Sequence, residues 1–132
     1  MHEHPMRVGD LLESARARLD RLDPQRAAEA VAHGALLIDT RCADDRRRTG
    51  TIPGSVHVPL SVLFWRLDGT SGHSRSELAD RSREVILMCA DGYSSSLAAA
   101  TLQDLGFPRS TDVVGGFNAW VASGLPVEPA AG

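Results

Sequence analysis

Cys89 is the residue best placed to do chemistry. It ends the apolar run Val85-Ile86-Leu87-Met88 and opens a short polar loop, Ala90-Asp91-Gly92-Tyr93-Ser94-Ser95. A helix-forming stretch from Ser96 to Leu105 follows, and Gly106 stops it. Strand, tight loop and helix N-terminus together collect unpaired N–H groups, which along with the helix dipole favour an anion. A thiol held there ionises more readily and becomes a nucleophile. The competing reading is a buried thiol at a strand end, a common setting for free cysteine.

The other reactive side chains are less well placed. Cys42 follows Arg41 in a second loop, and a resolving role there needs a Cα separation that spacing does not supply. It reads as a small loop residue. His2, His4, His33 and His73 show no metal-ligand spacing with a cysteine pair, so no metal and no cofactor are expected. His57 sits in a predicted strand and reads as a packing or hydrogen-bonding residue. All 14 basic residues are Arg, and without a lysine amine Schiff-base chemistry is excluded.

Short strands alternate with helices along the chain. Asp10 and Glu13 form a capping-box pair ahead of Leu11, Leu12, Ala15, Leu19 and Leu22, which predicts a helix over about 10–21 after a loose start. Asp23-Pro24 caps a second helix that ends near Gly34. Buried strands are predicted at Ala35-Leu36-Leu37-Ile38, closed by Asp39, and at 85–88, with further strands at 56–58 and 111–114. Helices are expected at 60–67, 77–83 and 117–122, and a polar surface loop at 69–76. Trp120 reads as core. Trp65 reads as a core or loop-covering residue. This order predicts an α/β fold with a mainly parallel sheet covered on both faces. Ligands bind outside the carboxyl ends of such strands, and the loops at Asp39–Ala43 and Cys89–Ser94 both fall on that edge.

At 132 residues the chain suits one core. Its 42% hydrophobic and 23% charged content is that of an ordinary globular protein. A net charge of -3 argues against nucleic acid as a partner. No apolar run is long enough for a bilayer, and the first residues lack a secretory pattern, so a cytoplasmic protein with no membrane partner is expected.

Four segments carry a resemblance to the rhodanese-like (sulfurtransferase) family. They are Leu37-Ile38-Asp39-Thr40-Arg41, the stretch from Gly50 to Pro59, Val85 to Gly92, and Val114-Gly115-Gly116-Phe117-Asn118-Ala119-Trp120 with Gly124-Leu125-Pro126. The resemblance implies a three-layer α/β domain over residues 22–127; the residues themselves read as an N-terminal extension carrying a helix at 1–21 and a disordered tail at 128–132. It implies that Cys89 carries sulfane sulfur as a persulfide. The sulfur comes from a small donor such as thiosulfate and passes to cyanide, a thiol or a protein acceptor. Ala90, Asp91, Gly92, Tyr93, Ser94 and Ser95 then form the substrate-binding loop, a cradle of N–H groups with Gly92 at its turn. Asp39 and Arg41 support it. Asp39 is expected to fix its own loop, and Arg41 to pair with a carboxylate such as Asp44 or Asp45. Arg46-Arg47-Arg48 reads as a solvated helix face.

The loop departs from the family pattern in one place. Active members commonly have Arg five residues after the cysteine, where this chain has Ser94. Asp91 adds a negative charge, which is expected to point partly outward because an unpaired carboxylate among N–H donors is costly to bury. The alternative function is a non-catalytic rhodanese-like binding or regulatory module for a protein or a small anion. A phosphatase or arsenate reductase on the same scaffold ranks last, because those need a longer loop and an Arg.

Overall fold

The computed structural model describes residues 5–131. His2 and His4 lie outside the described residues. Helices form at Val8–Ala17 (α1), Pro24–Ala32 (α2), Ala43–Thr49 (α3), Leu63–Leu67 (α4), Ser94–Asp104 (α5) and Gly116–Ala122 (α6). Strands form at Leu36–Asp39 (β1), Val56–His57 (β2), Val85–Met88 (β3) and Ser110–Asp112 (β4). They build one parallel sheet in the order β2-β1-β3-β4. The chain leaves β1 toward β2 on one side and β3 toward β4 on the other, so the loops after β1 and β3 part and open a crevice between them.

The period of two along a strand divides the core. Leu36, Ile38, Val85 and Leu87 point to one face, against Leu63, Leu67, Ala98, Leu102 and Phe107. Leu37, Ile86 and Met88 point to the other, against Ala27, Phe117 and Trp120. The sheet is therefore the middle of three layers. Among the described residues, no helix is long and apolar enough to cross a membrane.

Several expected elements differ. α1 starts at Val8 and stops at Ala17, with Asp10 in its first turn accepting from the Arg7 N–H at 3.3 Å. Leu22 is not helical. It bridges Val113 in parallel, through Leu22 N–H to Asp112 O at 3.1 Å and Val114 N–H to Leu22 O at 2.8 Å. The helix expected over 77–83 is a single 3-10 turn, Ser76–Leu78. Asp80 Oδ1 takes the Ser82 N–H and hydroxyl at 3.0 and 2.6 Å, a local turn that competes with the helix. Trp65 is not core: Leu63 and Leu67, four apart, take the buried face of α4 and leave it exposed. Glu128, at the expected start of the tail, exchanges two 2.8 Å hydrogen bonds with Thr51.

Candidate active site

β3 delivers Cys89 to the crevice, almost fully buried. The loop then turns at Gly92, whose φ is +83°. A Cβ there would lie 2.8 Å from Gly115 N and 3.1 Å from Val113 O, so only glycine fits. The turn aims the Gly92 N–H at Cys89 Sγ, 3.1 Å away. α5 starts earlier than expected, at Ser94, so the last two loop residues form its first turn. The N–H groups of Asp91, Tyr93 and Ser94 meet no acceptor among the described residues and remain free to meet an anion. Burial pushes the Cys89 thiol up. Hydrogen bonds from the Ser95 and Ser94 hydroxyls and from the Ser95 and Gly92 N–H groups outweigh it, and the pKa falls below the ordinary thiol value.

α6 buttresses the loop from the sheet edge. Phe117 and Asn118 donate their N–H groups to Cys89 O and Ala90 O, at 2.8 and 3.0 Å. That approach needs Gly116, where a Cβ would stand 2.4 Å from Cys89 O. Asp91 is exposed and accepts from Asn118 Nδ2 at 2.7 Å, facing away from the sulfur. Tyr93 is also exposed and packs beside the Arg16 guanidinium, 5.4 Å from the ring centre.

Asp39 and Arg41 make a closed corner. Arg41 donates to Asp39 through Nε and Nη2, at 3.1 and 2.9 Å, and also to Thr49 Oγ1 and Gly50 O, both at 2.8 Å. Its guanidinium lies 3.7 Å over the Phe117 ring. The expected partners Asp44 and Asp45 instead take Arg47 and Arg48 on the exposed face of α3, while Arg46 turns inward to Asp39 at 3.1 Å. The Asp39 side chain also accepts the Arg41 N–H, fixing its loop. His57 Nε2 donates to Arg41 O at 2.8 Å, a hydrogen-bonding role. Arg41, Ala90, Phe117 and Asn118 line a cleft of about 200 Å³ at the mouth of the crevice. Cys42 is exposed and caps α3, accepting weakly from Asp45 N–H at 3.5 Å. Among the described residues, no group of three or more His, Cys, Asp or Glu is placed to hold a metal ion.

Sequence reasoning missed a second corner. Asp112 is fully buried, and both the Ser95 and Ser96 hydroxyls donate to its Oδ2, at 2.7 and 2.8 Å. Arg21 pairs with it, Nε to Oδ1 at 2.8 Å and Nη2 to Oδ2 at 3.3 Å. Arg21 and Arg16 also grip the Gly92 carbonyl, at 3.1 and 2.7 Å. In a trans peptide the C=O and N–H point opposite ways, so holding Gly92 O outward turns the Tyr93 N–H toward the cradle. The signal available in the sequence was an acidic residue inside a predicted strand, Thr111-Asp112-Val113-Val114. The two arginines carried none.

The rhodanese-like domain model matches residues 22–123. A thiosulfate sulfurtransferase GlpE of Haemophilus influenzae is 32% identical over 83% of this chain and 94% of its own length. One from Ectopseudomonas mendocina is 36% identical over 85% and 93%. A solved structure from Rhodopseudomonas palustris, described as a protein of unknown function and possible tyrosine phosphatase, superposes with a TM-score of 0.87 at 28% identity, covering 97% of this chain and 99% of its own. With the family model spanning most of the chain and these relatives matched nearly end to end, the chain belongs to the rhodanese-like domain family.

Proposed function

We propose that this protein is a sulfurtransferase or persulfide carrier that works through Cys89. The observation that carries the reading is the Gly92 N–H held 3.1 Å from a buried sulfur whose pKa is lowered. The thiolate attacks the outer sulfur of a donor such as thiosulfate. A Cys89 S–S bond forms, the donor S–S bond breaks, and sulfite leaves with the electron pair. An acceptor thiolate or cyanide then takes the outer sulfur and returns Cys89 as thiolate. Residues Ala90 to Ser95 hold the donor anion, and Asp39 and Arg41 fix the loop opposite. The GlpE relatives, named for thiosulfate, support that substrate class. A reducing compartment such as the cytoplasm suits a chemistry that starts from the free thiol of Cys89.

One observation favours a binding module instead. The two most exposed loop side chains, Asp91 and Tyr93, face solvent, where a protein partner could meet them. Intact mass after incubation with thiosulfate separates the two readings. A gain of one sulfur atom on Cys89, removed by reductant, is expected of the carrier. No gain would leave the binding module.

A further inference from the structure

One hydroxyl proton faces two acceptors at the buried end of the site. Ser95 Oγ lies 3.3 Å from Cys89 Sγ and 2.7 Å from Asp112 Oδ2. While Cys89 is a thiol, its S–H donates to Ser95 Oγ and Ser95 donates to Asp112. A thiolate donates nothing. In that state Ser95 turns its proton to the sulfur, or two anions face one oxygen. Asp112 then loses a donor, and, being fully buried, it gains no water in exchange. What remains to it is the Ser96 hydroxyl and the two contacts from Arg21.

We propose that Arg21 is a positioning residue that lets Ser95 transfer its hydrogen bond from Asp112 to the Cys89 thiolate. The segment ahead of the family-matched residues would then set the ionisation of the sulfur. The proposal rests on Cys89 being the nucleophile. The thiol proton leaves to solvent, the Ser95 hydroxyl rotates, and no proton passes to Asp112. With Arg21 in place the carboxylate is neutralised and can release Ser95. Without it, Asp112 holds Ser95 and its own charge opposes the thiolate.

Few other charges face this group. Asp91 of the loop points outward to Asn118, and Tyr93 lies exposed beside Arg16. Arg16 is spent on Gly92 O and Ser96 Oγ. Asp39 is closed on Arg41 and Arg46. α5 brings the Ser94 and Ser95 hydroxyls and the Ser95 N–H to the sulfur, while its one acid, Asp104, pairs with Arg18, and α6 brings Asn118 to the loop.

The test is the pH dependence of Cys89 alkylation by iodoacetamide in a Cys42→Ser background, with folding of each variant checked by its melting curve. Arg21→Gln should raise the midpoint by about one pH unit, and Asp112→Asn should lower it. The double variant should return close to the parent. Arg21→Lys should recover part of the shift. In Ser95→Ala the midpoint should rise, and adding Arg21→Gln should move it much less. If Asp112→Asn does not fold, the Arg21 and Ser95 pair decides the question alone. The proposal is overturned if Arg21→Gln leaves the midpoint in place, if both single variants shift it the same way, or if the Arg21 effect persists undiminished in Ser95→Ala. A Cys89 that stays unreactive in the parent at every pH overturns the nucleophile reading itself, and this proposal with it.

Discussion

Two buried carboxylates flank the sulfur loop, and arginine holds each of them. Asp39 closes on Arg41 and Arg46 and on the Arg41 N–H, with no hydroxyl among these partners. Asp112 is held as firmly by Arg21, but it also takes two serine hydroxyls, one of which touches Cys89. The first corner is saturated by groups that cannot turn. The second contains a hydrogen that can. Burial and ion pairing alone therefore do not distinguish a structural carboxylate from one coupled to the Cys89 sulfur. The shared hydroxyl does.

The largest expected effect separates the proposed nucleophile from everything around it. Cys89→Ser should abolish sulfur loading by thiosulfate, while Cys42→Ser should retain most of it, both read by intact mass. Loading of the Cys89→Ser protein would move the chemistry away from both corners.

Next, Arg41→Ala should cost stability and little else. Removing one partner of a buried pair leaves an uncompensated charge, at about 3–5 kcal/mol. The loss should fall near the lower end, because Arg46 stays on Asp39. Urea unfolding measures it. The alkylation midpoint of Cys89 should not move in the fraction that stays folded. A clear shift of that midpoint would erase the contrast between the two corners.

Ser94→Arg should raise activity with thiosulfate. It supplies the fixed cation that the loop lacks, and a charge-assisted contact contributes about 1.5–3 kcal/mol, roughly ten- to a hundredfold in kcat/KM. No gain in a folded variant would mean that the free N–H groups already suffice.

The smallest effect belongs to Asp91. Its carboxylate faces Asn118, away from the sulfur, so Asp91→Asn should lower the alkylation midpoint only slightly. The sign at the parent is fixed by the lowered Cys89 pKa: the rate should climb and level off at lower pH than for a free cysteine. A parent midpoint above the free-cysteine value, falling sharply in Asp91→Asn, would show the carboxylate holding the thiol protonated.

Much of this was legible in the sequence because it is local. The apolar runs at β1 and β3 have no solvated face, and a residue type that tolerates positive φ stands where the loop turns. The Asp39 corner was half legible. The acid and Arg41 lie two residues apart, but their mutual pairing was not anticipated, since Asp44 and Asp45, three and four residues away, were also within reach. The Asp112 corner was not legible. Arg21 meets Asp112 only because Leu22 docks on Val113 at the sheet edge, and no periodicity encodes that docking. The expected helix at 77–83 failed for a related reason. Asp80 and Ser82 prefer each other to the helix ladder, a competition that propensity averages away.

The parallel order of strands also decides when the thiol acquires its character. Pairing β1 with β3 joins residues roughly fifty positions apart, and contacts of such range slow folding even though closing the longer loop adds little entropy cost. Arg21 and Asp112 are 91 residues apart. A growing chain therefore presents Cys89 well before Asp112 and the Gly115-Gly116 turn have emerged to complete its surroundings. Until they arrive the thiol is an ordinary one, and a nascent or partly unfolded chain should not take up sulfur. On the proposed role of Cys89, its reactivity would then serve as a chemical report that the last third of the polypeptide has closed over the first.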